Sequence, residues 1–292
     1  MNVWIAAIRP KPLIAGAAPV VLGSALAFHH GVMDVMSAVL AIVCALCIQI
    51  VSNFINDLED FKRGADEQRV GPMRMVASGL ITPASMKRAA WLVAGMAFVL
   101  GQPLVFRAGW PVLVIGVICL IAAWMYTGGP YPFAYHGLGD VAAFVFFGVL
   151  AVMGTYYVHS GTWSLDAFVV SIAPGCLAAN ILGVNNLRDI PTDARVGKRT
   201  IAVRIGATRA RLLYTVLTLV AILAPSLILR PSMGAWIYLP MASLPLGILM
   251  TVLVWRRSGT ELNPVLGGTA GLYVVYTVMM AVALVLSHGF GA

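Results

Sequence analysis

Asn53, Asn56, Asp57 and Asp60 recur at spacings of three and four residues, which sets them along one face of a helix. Asp66 comes just beyond Gly64, where a turn can bring a third carboxylate back to the same place. Far downstream Asn185, Asp189 and Asp193 repeat the four-residue spacing, with Pro191 between the two acids disfavouring helical geometry at Ile190. Carboxylates drawn together from two segments repel one another, and a bound divalent cation removes the conflict. With neither His nor Cys beside them the donors are all oxygen, which selects a hard ion; Mg²⁺ shared between carboxylates and a phosphate fits better than calcium in a single-loop cage. Lys62, Arg63, Arg69, Arg74, Lys198 and Arg199 are interleaved with these acids, so an anion of high charge can sit beside the metal. A diphosphate is the simplest such anion.

The elements that must position these groups are membrane helices. The 292 residues are 60% hydrophobic and 10% charged, far too apolar for an ordinary soluble domain. The apolar runs are continuous rather than alternating, which predicts an all-α integral membrane protein and not a barrel. Nine transmembrane helices are expected, near 12–29, 33–56, 88–107, 111–127, 138–158, 167–188, 211–229, 235–255 and 265–287. With the N-terminus in the cytoplasm, all of the 19 Lys and Arg except Arg107 and Arg230 fall on the cytoplasmic side, which orients the chain N-in and C-out. The net charge of +8 is therefore read as a topology signal, and nucleic acid is not expected as a partner. No cleavable signal peptide is recognisable, so the first long run is expected to stay in the membrane.

Most of the acids gather on that same cytoplasmic side, which the topology rule does not require. All of these but Asp140 and Glu261 lie in two long loops, 57–87 and 189–210, each entered through an Asn-to-Asp step of four residues and each leading into a basic segment containing glycine. The spacing suggests a duplicated block, helices one to four and five to eight, with the ninth appended, all within a single domain over 1–292. A metal-neutralised diphosphate at such a boundary is what an isoprenoid diphosphate needs in order to ionise, because its tail stays in lipid while its head reaches the aqueous face.

NDLEDFKRGAD at Asn56–Asp66, preceded by Asn53 and succeeded by Arg69-Val70-Gly71-Pro72, resembles the first aspartate motif of the UbiA superfamily of intramembrane aromatic prenyltransferases. NNLRDIPTD at Asn185–Asp193, with Gly197-Lys198-Arg199-Thr200, resembles its second motif. Within that superfamily the sequence is most similar to the menaquinone branch, the 1,4-dihydroxy-2-naphthoate polyprenyltransferases. Arg9-Pro10-Lys11, Gly137-Leu138-Gly139-Asp140, Phe146-Phe147-Gly148 and the stretch Thr200–Gly206 support that choice. The gap from Asp60 to Asp66 is longer than in the ubiquinone branch, which also favours it.

The resemblance implies a nine-helix bundle in the cytoplasmic (inner) membrane, with its active site facing the cytoplasm and a lateral opening for the lipid chain. It implies Mg²⁺, two ions, held by Asp57, Asp60, Asp66, Asp189 and Asp193, and diphosphate contacts from Asn53, Asn56, Lys62, Arg69 and Lys198. Its reaction is transfer of a prenyl group from a polyprenyl diphosphate to 1,4-dihydroxy-2-naphthoate, with loss of the naphthoate carboxylate. Arg74 and Arg188 are the candidates for holding that carboxylate. Other acceptors, 4-hydroxybenzoate or homogentisate, are the alternative.

Several of these residues have plainer readings. A single acidic helix end could be a solvated cap; a second cluster of the same kind argues against that. Lys87, Arg88, Arg209, Arg211, Arg256 and Arg257 read as positive-inside anchors. Tyr126 is either an interface anchor or an aromatic wall for an allylic cation. Asp140 suits a helix N-terminus as well as it suits chemistry. His29, His30, His136, His159 and His288 are assigned to loops and interfaces with no metal role. Cys44, Cys47, Cys119 and Cys176 fall in apolar runs and imply packing rather than disulfides. A transporter would place its charges near the bilayer midplane rather than at helix ends, so transport is the weaker class.

Overall fold

The computed structural model describes residues 2–64 and 73–288. Asp66 and Arg69 therefore lie outside the described residues.

The chain is built from helices: α1 (Val3–Ile8), α2 (Pro10–His29), α3 (Val35–Lys62), α4 (Pro83–Ala108), α5 (Trp110–Met125), α6 (Gly139–Phe144), α7 (Ala151–Ser160), α8 (Leu165–Arg188), α9 (Ile190–Arg195), α10 (Ile201–Ile205), α11 (Ala207–Met233), α12 (Leu244–Arg256) and α13 (Leu262–Leu286). A π-helical turn, Val145–Leu150, joins α6 to α7 into one span, and a 3₁₀ stretch, Ala235–Ser243, leads into α12. Among the described residues eight helices are long and apolar enough to cross a membrane. The segment expected as a fourth span is α5, whose 16 residues cover about 24 Å at about 1.5 Å per residue, short of a hydrocarbon core of about 30 Å.

Local chemistry sets most of the boundaries. Asp34 caps α3 by accepting from the Ser37 amide at 2.8 Å, and Thr82 caps α4 by accepting from the Ser85 amide at 3.2 Å. α3 continues to Lys62, beyond the expected end near 56, so its last turns carry the first acidic motif on continuous helix. Pro191 does not disrupt the second motif. α8 stops at Arg188, Asp189 stands at the junction, and Pro191 sits in the first turn of α9, where its missing N–H costs nothing.

α3 packs on α4, α8 on α11, and α13 on both α2 and α8. The main core lies where α2, α7, α8, α11 and α13 meet, around Leu22, Leu26, Val152, Leu177, Ile222 and Tyr276. A second core joins α1, α3 and α4 around Phe54, Ile55, Leu58 and Met86. Small residues allow the closest crossings: a Cβ on Gly148 would stand 2.7 Å from the Gly175 Cα, so the π turn lies against α8 with no side chain between them. Trp91, Leu92, Phe106, Leu212 and Ile248 remain exposed on the outside of the bundle, as a lipid-facing surface requires.

His29 and His159 differ from expectation, whereas His30, His136 and His288 lie in turns as expected. His29 and His159 are buried within helices at the end of the bundle away from the acidic motifs, bonded to Ser287 and Ser24. His30 bonds Tyr156 at 2.7 Å and faces Asp166 at 3.5 Å. Ser, Tyr and Asp on neighbouring helix ends satisfy the ring nitrogens of His29, His30 and His159.

Candidate active site

Both acidic motifs come to the same end of the bundle, joined by the loop between α5 and α6. On α3, Asp57 is 1% exposed and accepts two backbone amides, from Met75 at 3.0 Å and Val76 at 3.2 Å. One turn on, Asp60 takes the Arg74 guanidinium at 2.9 Å and the Tyr135 hydroxyl at 3.1 Å. The chain downstream of the first motif thus folds back onto it and consumes much of its acceptor capacity.

The second motif is less satisfied. Asp193 is buried and faces the Lys198 ammonium at 3.6 Å, while its Oδ2 has no hydrogen-bond partner. Burial pushes the Asp193 carboxyl up to about 6; Lys198 pulls it down, and the nearby charges of Asp189 and Asp60 push it up. The influence of Asp60 on Asp193 places the two motifs in one electrostatic environment. Asp189 is held by its neighbour Arg188 in a two-pronged pair at 2.7 and 2.6 Å, and Arg188 also reaches Asn263 at 2.7 Å.

Several expected ligands sit elsewhere. Asn53 donates to the Ile8 carbonyl at 2.7 Å and accepts from Gln49 at 3.1 Å, so it ties α1 to α3. Lys62 pairs with Glu59 at 2.7 Å on an exposed face. Arg74 and Arg188, expected to meet an acceptor carboxylate, are engaged with Asp60 and Asp189 instead. Of the two adjacent basic residues at the end of α3, Arg63 is the one beside the site, its guanidinium 4.7 Å from the centre of the Tyr135 ring. Helical spacing contained that signal: Arg63 is three residues from Asp60, whereas Lys62 is three from Glu59.

Among the described residues no three carboxylate, His or Cys side chains form a ready metal cage. The donor chemistry nevertheless suits a hard cation. The Oδ1 atoms of Asn56 and Asn185 and Oδ2 of Asp193 are buried without hydrogen-bond partners, one from the first motif and two from the second. Unsatisfied buried oxygens are costly, and a bound Mg²⁺ with its substrate phosphate would supply what they lack.

An apolar cavity of about 190 Å³ opens beneath this polar end, between α2, α3, α4, α5, α6 and α7. Gln49, Ser52, Tyr126 and Phe133 line its motif end, and Leu104, Val112 and Val158 line its far end. From Val112 to Tyr126 along α5 is about 20 Å at the helical rise. Phe146 and Phe147, consecutive in the π turn, both line it, a use of π geometry common at functional sites. A small polar cavity, lined by Tyr126, Asp140, Asn186, Lys198 and Thr200, lies beside it. Tyr126 belongs to both, and burial, then the nearby charges of Asp140, Asp60 and Asp193, push its hydroxyl above the usual phenol range. Sequence reasoning missed Tyr135, an aromatic loop residue with no pattern of its own, and gave no role to Asn186 and Thr200 although both fall in the second motif.

Residues 17–266 match the model of the UbiA prenyltransferase family. The sequence is 38% identical, over 96% of each chain, to the 1,4-dihydroxy-2-naphthoate octaprenyltransferase of Mycobacterium tuberculosis. It is 37% identical, over 82% of each chain, to the enzyme of the same name from Escherichia coli. Among solved structures it resembles the apo form of a UbiA homolog from Aeropyrum pernix K1, with TM-score 0.73 and 16% identity over 94% of this chain and 98% of that one. It also resembles a UbiA homolog from Archaeoglobus fulgidus bound to GPP and Mg²⁺, with TM-score 0.70 and 16% identity over 98% of this chain and 100% of the other. At that identity the structural likeness concerns the fold alone, and the family is established by the sequence matches: the chain belongs to the UbiA prenyltransferase family.

Proposed function

We propose that this protein transfers a polyprenyl group from polyprenyl diphosphate to 1,4-dihydroxy-2-naphthoate, as the names of its relatives indicate, in menaquinone biosynthesis. The observation that carries the reading is Tyr126, which lines both an apolar cavity about 20 Å long and a small cavity of about 10 Å³ bearing Lys198. A substrate with a charged head and a long apolar tail suits that arrangement.

In this reading the diphosphate lies between Arg63 and Lys198, which balance the charge that grows on it as the bond to the prenyl C1 breaks. The tail occupies the apolar cavity, where Phe146, Phe147 and the aliphatic wall exclude water from the electron-poor carbon. The Tyr126 ring, at the neck, presents a π face to the allylic cation. A ring carbon of the acceptor forms the new C–C bond, the carboxylate leaves as CO₂, and diphosphate is released. Asn56, Asp60, Asn185, Asp189 and Asp193 would hold Mg²⁺, two ions, and Asp66 would add a further carboxylate to that set. Asp57, already holding two amides, would serve by fixing the turn against α3. The metal would supply positive charge to the leaving diphosphate.

Nine spans, with α5 as a short fourth, an N-in orientation and a cytoplasmic-side active site in the inner membrane complete the proposal; the concentration of Lys and Arg at the motif end supports that orientation. The packing of α3 on α4 and of α8 on α11 supports a duplicated block in which α13 is the appended helix.

Purified protein in detergent, offered a polyprenyl diphosphate with Mg²⁺, is expected to prenylate 1,4-dihydroxy-2-naphthoate in preference to 4-hydroxybenzoate, and to stop when a chelator is added. Product from neither acceptor, or activity indifferent to chelation, would overturn the proposal.

A further inference from the structure

Tyr135 meets charged groups from both motifs and belongs to neither. It closes a 3₁₀ turn, Phe133–Tyr135, in the loop between α5 and α6, and is 9% exposed. Its hydroxyl donates to Asp60 Oδ1 at 3.1 Å, while Arg74 takes Oδ2. The cations of Arg63 and Lys198 lie 4.7 and 5.7 Å from its ring centre, one from each motif. Its backbone carbonyl accepts the Arg199 amide at 3.1 Å, directly after Lys198.

The loop is fastened to the second motif a second time. Arg204 donates to the carbonyls of His136 at 2.8 Å and Arg199 at 3.1 Å, and Gly137 sits at φ +71 where a Cβ would stand 2.8 Å from the Arg199 oxygen. Only glycine permits that approach. These bonds couple residues 133–137 to 199–204, and the Tyr135 hydroxyl is the arm from that assembly to α3.

We propose that Tyr135 is the positioning residue that holds the two motifs in register, fixing Asp60 through its hydroxyl and presenting Arg63 and Lys198 over its ring to one diphosphate. The inference rests on the prenyl-transfer reading and adds to it a residue outside both aspartate motifs. When a diphosphate arrives, the two cations exchange a weak π contact for a phosphate oxygen. The ring keeps them near the site without holding them as tightly as a carboxylate would.

Two variants separate the hydroxyl from the ring. Tyr135→Phe keeps the ring and removes the bond to Asp60; Tyr135→Leu removes both. Binding of geranyl diphosphate to the purified full-length protein with Mg²⁺ is measured by calorimetry, beside kcat and the two KM values. Tyr135→Phe is expected to lower kcat and weaken geranyl diphosphate binding by about tenfold each, the scale of a hydrogen bond to a charged group. Tyr135→Leu is expected to weaken binding by about a further threefold. The KM of Tyr135→Phe for the aromatic acceptor should match that of the parent protein. A Phe variant that binds and turns over like the parent overturns the inference, as does one whose loss of binding comes with an equal loss of acceptor affinity. Failure of the parent protein itself to bind geranyl diphosphate or form product would instead overturn the prenyl-transfer reading.

Discussion

At the first motif Asp57 accepts two backbone amides and Asp60 takes Arg74 and Tyr135, whereas at the second Asp193 faces Lys198 at 3.6 Å and keeps Oδ2 bare. Both motifs show Asn and Asp at the same four-residue spacing. The difference arises in the chain beyond each motif: after α3 a turn at 75–79 folds back and delivers amides, while after α9 the chain runs away toward α10 and delivers one lysine. A satisfied carboxylate stabilises the fold, and an unsatisfied one stores free energy that a cation can release. The first motif is thus partly scaffold, and the second is the side left open for ligand.

The comparison breaks most visibly at Asp60. Asp60→Ala withdraws the carboxylate that faces a buried guanidinium, and is expected to destabilise the protein by about 3–5 kcal/mol as well as remove activity. Thermal unfolding in detergent reads the first effect, and a variant as stable as the parent would show that the first motif carries no scaffold role.

Asp193→Asn is expected to do the reverse. Activity should fall about 100-fold or more, the scale of lost electrostatic stabilisation in a buried site, while the metal-free protein unfolds no earlier. The raised carboxyl of Asp193 also sets a pH dependence. Its folded-state value of about 6 lies above the unfolded value, so the native state binds the proton more tightly. The associated stability is present below about pH 4 and is lost as pH rises through about 6. In chelator, unfolding temperature should decline over that window in the parent and stay flatter in Asp193→Asn.

Asp57→Asn keeps one acceptor oxygen and leaves the other amide facing an NH₂ group, a cost of about 1–3 kcal/mol, smaller than that at Asp60. Smallest of all, Lys62→Met removes an exposed pair with Glu59 and should shift stability by less than about 1 kcal/mol, with steady-state turnover close to the parent. A large loss of turnover in Lys62→Met would return Lys62 to the diphosphate and displace Arg63 from that role.

The helical class, the approximate position of the long spans and the two motifs are legible because each rests on local pattern: continuous apolar runs, Asn and Asp at helical spacing, Pro and Gly at the breaks. The departures share a cause. Charge alone assigns Lys62, Arg74 and Arg188 to ligands, and folding supplies each with a carboxylate partner first, since a buried or half-buried cation finds the nearest anion the chain offers. The hydrogen-bond partners of His29, His30 and His159 are distant in sequence and lie across helices.

By itself the sequence determined that this chain builds helices in lipid, that charge gathers at one end of them, and that two oxygen-rich motifs belong there. Those properties rest on hydrophobicity and helical periodicity, which are local. Only the tertiary structure decided which oxygens remain unsatisfied, which cation meets which acid, and that the loop carrying Tyr135 joins α3 to the second motif. Such pairings depend on contacts between residues distant in sequence, and burial sets their strength, so they exist only once the bundle has closed.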